Sequence, residues 1–180
     1  SSSASRHLSI DIETRSSADL PSVGVHKYAA APDFRVLLFG YSWDGEPARV
    51  VDLTREELPP GLAAALADPR VVKHAFNANF ERVCLSRLLG MPEGTYLDPS
   101  QWRCTMVQAA YWGVQGGLKQ VAAFLNVDAQ KDAAGTRLIN KFSKATAKPV
   151  AFEGGDWERF VSYCARDVDC EMEVASKLPG

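Results

Sequence analysis

A run near the start of the chain, His7-Leu-Ser-Ile-Asp-Ile-Glu13, limits the fold more than any other segment. Its apolar and polar residues alternate, so in a strand Leu8, Ile10 and Ile12 share one face while Asp11 and Glu13 share the other. Carboxylates projecting side by side repel each other unless a cation lies between them or one of them keeps its proton. Far downstream, Tyr163 and Asp167 stand four apart in a stretch of helical periodicity, and therefore on one helix face. A fold that sets this helix face across a cleft from the strand pair builds a metal site.

With 180 residues, 46% of them hydrophobic, the chain can bury a proper core, and a single domain is the expectation. The formal charge of -2 argues against an indiscriminate polyanion binder. Within 131–148, however, Lys131, Arg137, Lys141, Lys144 and Lys148 face Asp132 alone, and this basic stretch reads either as a phosphate-binding patch or as a solvated face. Cys84, Cys104, Cys164 and Cys170 contain no C-x-x-C pair; they read as buried thiols of a reducing compartment rather than as zinc ligands. No apolar run approaches the roughly 20 residues a membrane span needs, and there is no charged-then-apolar leader. Residues 1–6 read as a disordered terminus or cloning remnant, and 7–180 as the domain.

After the first strand, 19–32 is punctuated by Pro and Gly and reads as a long loop with one short helical turn. A hairpin follows over 35–53, turning at Asp44-Gly45. Thr54 and Glu57 have capping-box spacing for a helix over 58–67, with Pro59 and Pro60 in its first turn. A strand is expected at 71–76, a helix capped by Asn77 over 77–89, and a short strand at 102–105. Helical pattern then fills 106–111, 118–125, 135–142 and 156–178. Strands first and helices afterwards define an α/β sheet layered with helices. His26 and His74 read as structural residues, Asp169 should point away from Asp167, and the four tryptophans read as core or domain contacts.

Three segments converge in this scheme: Asp11-Ile-Glu13-Thr14, Asn77-Ala-Asn-Phe80-Glu81 and Tyr163-x-x-x-Asp167. Carboxylate ligands without His or Cys in the motifs select hard cations, Mg²⁺ or Mn²⁺. Two such ions about 4 Å apart activate a water and stabilise the leaving oxygen in displacement at phosphorus.

At this point the chain resembles a known family, the DnaQ-like 3′-5′ exonucleases of the tyrosine-bearing DEDD branch. The closer likeness is to the exonuclease domain of phage-type family A DNA polymerases. It rests on Leu8-Ser-Ile-Asp-Ile-Glu-Thr14, Gly24-Val-His-Lys-Tyr28, Ala75-Phe-Asn-Ala-Asn-Phe-Glu-Arg82, Trp102-Arg-Cys-Thr-Met106 and Tyr163-Cys-Ala-Arg-Asp167, which together span nearly the whole chain. The resemblance implies a ribonuclease H-like mixed sheet flanked by helices. It implies two Mg²⁺ or Mn²⁺ ions held by Asp11, Glu13, Glu81 and Asp167, with Tyr163 orienting the attacking water. Ser162 occupies the place where the histidine branch carries its base, which leaves Tyr163 in that role. Thr14, Asn77 and Phe80 would lie against the terminal nucleotide; Lys141, Lys144 and Lys148 are candidates for the phosphate backbone from charge patterning alone, with a solvated face as the alternative. Glu81 departs from the Asp usual in the wider superfamily and sets its carboxylate one methylene farther out. The implied activity is hydrolysis of single-stranded DNA from its 3′ end to nucleoside 5′-monophosphates, in proofreading, with a polymerase domain or subunit as partner. The implied location is the cytoplasm of a bacterial or phage-infected cell. Two alternatives stand beside it: a 3′-5′ exoribonuclease and a nucleic-acid-binding module that no longer cleaves.

Overall fold

The computed structural model describes residues 5–127, 135–145 and 148–179. The opening alternation forms β1 (Arg6–Arg15), which starts within the segment read as a disordered terminus. It is joined by β2 (Arg35–Trp43), β3 (Arg49–Asp52), β4 (Val71–Ala75) and β5 (Trp102–Cys104) in one sheet of order β3-β2-β1-β4-β5. The β1-β2 and β2-β3 pairs are antiparallel, whereas β1-β4 and β4-β5 are parallel. The hairpin turns at Asp44 and Gly45, both at positive φ (51° and 79°), as a tight reversal between twisted strands requires. The Asp44 carboxylate also accepts the His7 backbone N–H at 2.8 Å, tying the turn to β1.

The described helices are α1 (Leu20–Ala30), α2 (Pro60–Ala67), α3 (Ala78–Leu88), α4 (Thr105–Tyr111), α5 (Leu118–Phe124), α6 (Gly135–Phe142) and α7 (Gly154–Lys177). Leu8, Ile10 and Ile12 point into a core shared with Leu62 and Leu66 of α2 and Val83 and Leu85 of α3. The opposite face of the sheet is covered by α7, whose Phe160 and Cys164 pack with Leu37, Leu38 and the α6 residues Leu138 and Phe142. Both faces of β1 are therefore shielded, and the carboxylates of Asp11 and Glu13 sit under a helix.

One glycine permits that approach. Gly40 pairs with Asp11 across β1 and β2. A Cβ there would lie 2.8 Å from Cys164 Sγ and 2.9 Å from Val168 Cγ2, far inside van der Waals contact. Only a residue without a side chain lets α7 descend onto the strand that carries Asp11.

Three local expectations fail. The segment 19–32 holds α1, an eleven-residue helix broken at Gly24 (φ 80°, ψ 167°), rather than a loop with one turn. Without a clear apolar stripe, and with Pro21 and Gly24 inside it, this helix leaves no periodic signal. Thr54 caps nothing, because its backbone N–H and hydroxyl both donate to Asp52; α2 starts instead with Pro60 in its first turn, where the missing N–H costs little. Asn77 occupies the N-cap position of α3 but makes no side-chain capping bond. Trp102 and Trp157 are buried, as expected, whereas Trp112 is 49% exposed. Asp169 faces outward and accepts the Ala48 backbone N–H.

Candidate metal centre

Three elements deliver the acids. β1 contributes Asp11 and Glu13 through its two-residue period; α3 contributes Glu81 from its first turn; α7 contributes Asp167, one turn after Tyr163. Glu13, Glu81 and Asp167 are all buried, with 8%, 4% and 8% of their surface exposed. The Asp11 carboxyl is held well above its ordinary pKa, first by burial and then by the charges of Asp167, Glu13, Glu81 and Glu171. Glu81 is pushed up to about 8, again chiefly by burial, with the Glu171 charge adding to it. Such crowding is unfavourable in low dielectric unless protons or cations neutralise it.

Tyr163 is buried, and its hydroxyl hydrogen-bonds the Asp167 carboxylate. Burial and the surrounding acids raise its pKa, so the phenol keeps its proton and acts as a donor. The ring is fixed by stacking on Phe160 and by the backbone of Gly135, where an added Cβ would lie 2.5 Å from Tyr163 Cε2. Oxygens of Asp11 and Glu13 and the Cys164 sulfur lie within 4.8 Å of one another. Burial and the neighbouring acids hold that thiol protonated, and Sγ lies 3.9 Å from Asp11 Oδ2. Cys164 thus serves the carboxylate as a weak donor.

A divalent cation fits these residues. The donors are carboxylate oxygens, the choice of hard ions. The buried Oε2 atoms of Glu81 and Glu171 have no hydrogen-bond partner, leaving two lone-pair-bearing oxygens for a cation or its water to satisfy. Glu171 escaped the sequence reading. It lies four after Asp167, so the column Tyr163, Asp167, Glu171 runs down one face of α7, and this repeated spacing was the signal available.

The remaining predicted residues are less uniformly placed. Thr14 is buried and its hydroxyl bonds Tyr28 Oη at 2.8 Å; Phe80 is half-buried with its ring 6.1 Å from that of Tyr28; Asn77 is exposed at the start of α3. These three flank the acids. Tyr28 also lines a groove of about 470 Å³ that continues past Ser16 and Ile139 to Lys144. Lys148 is exposed. Lys141, by contrast, reaches Asp156 at 2.8 Å, and Arg137 grips the same carboxylate at 3.0 and 3.1 Å. Part of the basic patch is thus neutralised from α7. Lys131 and Asp132 lie outside the described residues.

A mixed five-stranded sheet of this order, flanked by helices and with an acid pair on its central strand, is a ribonuclease H-like fold. No protein-family model matches the chain. A DNA polymerase of Bacillus phage SP02 is 42% identical over 183 residues, covering 95% of this chain and 28% of the polymerase. The chain therefore corresponds to little more than a quarter of that relative. Among solved structures, Brucella melitensis NrnC superposes with a TM-score of 0.60 at 19% identity, over 94% of this chain and 70% of NrnC. NrnC is also known with bound Mg²⁺ and with pGG. Escherichia coli RNase D, an exoribonuclease, gives the same TM-score and identity over 95% of this chain and 38% of its own. In sequence the chain is thus similar to part of a phage DNA polymerase, and in fold to the nucleases NrnC and RNase D.

Proposed function

We propose that this domain is a divalent-metal-dependent 3′-5′ exonuclease that removes nucleoside 5′-monophosphates from the 3′ end of single-stranded DNA, in a proofreading role beside a polymerase. The observation that carries the reading is the gathering of Asp11, Glu13 and Asp167 about Tyr163, with the charge of the buried Glu81 also acting on Asp11. Asp11, Glu13 and Asp167 would hold one Mg²⁺ or Mn²⁺ ion, and Glu81 would hold the second from the α3 side, reaching across with its longer side chain. Bound there, the ions supply a water nucleophile at neutral pH and charge stabilisation at phosphorus.

The chain's own groups do the rest. Tyr163, its one O–H donated to Asp167, would present its phenolic oxygen as an acceptor that orients the attacking water. Thr14, Asn77 and Phe80 would contact the terminal nucleotide, with the Phe80 ring as an apolar wall. The strand would leave along the groove toward Lys144 and Lys148, whereas Lys141, shared with Asp156, would contribute less to phosphate binding. DNA is favoured over RNA by the kinship with a DNA polymerase, because the likeness to RNase D and NrnC is one of fold.

The test is incubation of 5′-labelled single-stranded DNA and RNA of one sequence with Mg²⁺, Mn²⁺ or EDTA. Stepwise shortening of the DNA with either metal and none in EDTA is the expected result. Shortening of RNA alone would reassign the substrate, and no shortening of either would reduce the domain to a binding module.

A further inference from the structure

Glu171 is 2% exposed, yet it pairs with no cation among the described residues. Its Oε1 accepts the Thr105 hydroxyl at 2.5 Å, and its Oε2 is buried without a partner. Thr105 is the first residue of α4, directly after β5, so this bond ties the far edge of the sheet to α7. Glu81 Oε2, on α3, is likewise buried and unpartnered, and the charge of Glu171 adds to the rise of the Glu81 pKa.

A purely structural tether does not account for this arrangement. Holding α4 to α7 needs one acceptor, which an amide supplies at less cost than an acid. A buried carboxyl with an idle oxygen, set beside a second one, carries an uncompensated desolvation penalty unless something donates to both. A hydrated cation does so, since its bound waters present protons outward. Carboxylates that accept from metal-bound water are a recurrent outer layer of such sites and alter metal affinity about ten- to a hundredfold.

We propose that Glu171 is a fifth carboxylate of the metal centre, a positioning residue that accepts a hydrogen bond from water on the Glu81-side cation while Thr105 fixes its orientation. The inference rests on the reading of the acids as a two-ion site and names the member of that site that the shared motifs omit. It also gives Glu81 a role despite its extra methylene: its unpartnered outer oxygen and that of Glu171 would both accept from the hydrated cation.

Calorimetric titration of Mn²⁺ into the metal-free domain separates the outcomes, because it reads binding without cleavage. The wild type should take up two ions. Glu171→Gln, which keeps volume and can still accept from Thr105, should weaken the second ion about ten- to a hundredfold and leave the first unchanged. Turnover of the variant should recover at high Mn²⁺ with KM for DNA unaltered. Thr105→Val, which keeps the acid and loses its anchor, should weaken the same ion by a smaller factor. Glu171→Gln binding both ions with wild-type constants overturns the proposal, whatever its activity. If thermal melting shows that Glu171→Gln does not fold, the folded Thr105→Val variant decides, and an unchanged second constant there overturns the proposal. A wild-type domain that takes up no Mn²⁺ removes the metal-centre reading itself, and this inference with it.

Discussion

Burial pushes the carboxyls of Glu81 and Glu171 up to about 8 and about 7 from an ordinary value of 4.5. Between those limits the folded, metal-free protein holds protons that the unfolded chain has released, so its stability falls as pH rises from about 4.5 toward 8. Bound Mn²⁺ replaces the protons as counter-charge and adds its own binding free energy to the native state. Denaturant unfolding in EDTA should therefore give a lower stability at pH 8 than at pH 5, and Mn²⁺ should erase the difference; a flat profile in EDTA would contradict the burial of these acids. Sequence revealed part of this. Asp11 and Glu13, and Tyr163 and Asp167, are legible because each pair is two or four apart within one element, where local geometry sets direction. Glu171 continues the same spacing, but an acid on a helix is ordinarily solvated, and nothing local announces that Thr105, 66 residues earlier, lies against it.

A close helix-sheet approach in the site depends on Gly40. Its pairing partner is Asp11, and α7 passes so near that a methyl group would meet Cys164 Sγ at 2.8 Å. Gly40→Ala should destabilise the domain by about 1–3 kcal/mol, typical of overpacking, and lift the Asp167 turn away from β1. Urea unfolding together with Mn²⁺ affinity checks this; full stability with full affinity would show that α7 is not pinned there. Among the elements, β1 to β5, α3 and α7 were readable because alternation or helical periodicity is strong and their boundaries carry turn residues. Helix α1 was not, since Pro21 and Gly24 sit inside it and its packing comes from tertiary contacts of Tyr28 and Ala29. The Thr54-Glu57 spacing misled because Asp52, two residues before Thr54, captures both of its donors.

The formal charge of the whole chain, -2, conceals a groove that runs from Tyr28 to Lys144. The sequence showed a basic stretch but not its counter-charge, because Asp156 is distant in the chain and meets Arg137 and Lys141 only after α7 folds back on α6. Replacing Lys144 and Lys148 with Ala should therefore weaken DNA binding alike for all sequences. Measured by fluorescence anisotropy with Ca²⁺ in place of the reactive metal, it should flatten the log-log salt dependence by roughly 0.7 for each phosphate that is no longer neutralised. Lys141→Ala alone should change the slope less, and the reverse ranking would place the strand along α6 instead. No described helix is long and apolar enough to cross a membrane. At this scale three elements distant in sequence supply the acids of the proposed cation-dependent site, and the charges of Asp167, Glu13, Glu81 and Glu171 all act on Asp11. The most direct measurement is the rate at which wild type and Asp11→Ala shorten a 5′-labelled single-stranded DNA in Mn²⁺, each first shown by thermal melting to be folded. The wild type should give a ladder of 3′-shortened products and the variant should leave the DNA intact, whereas equal rates from the two proteins would remove Asp11 from the hydrolytic site.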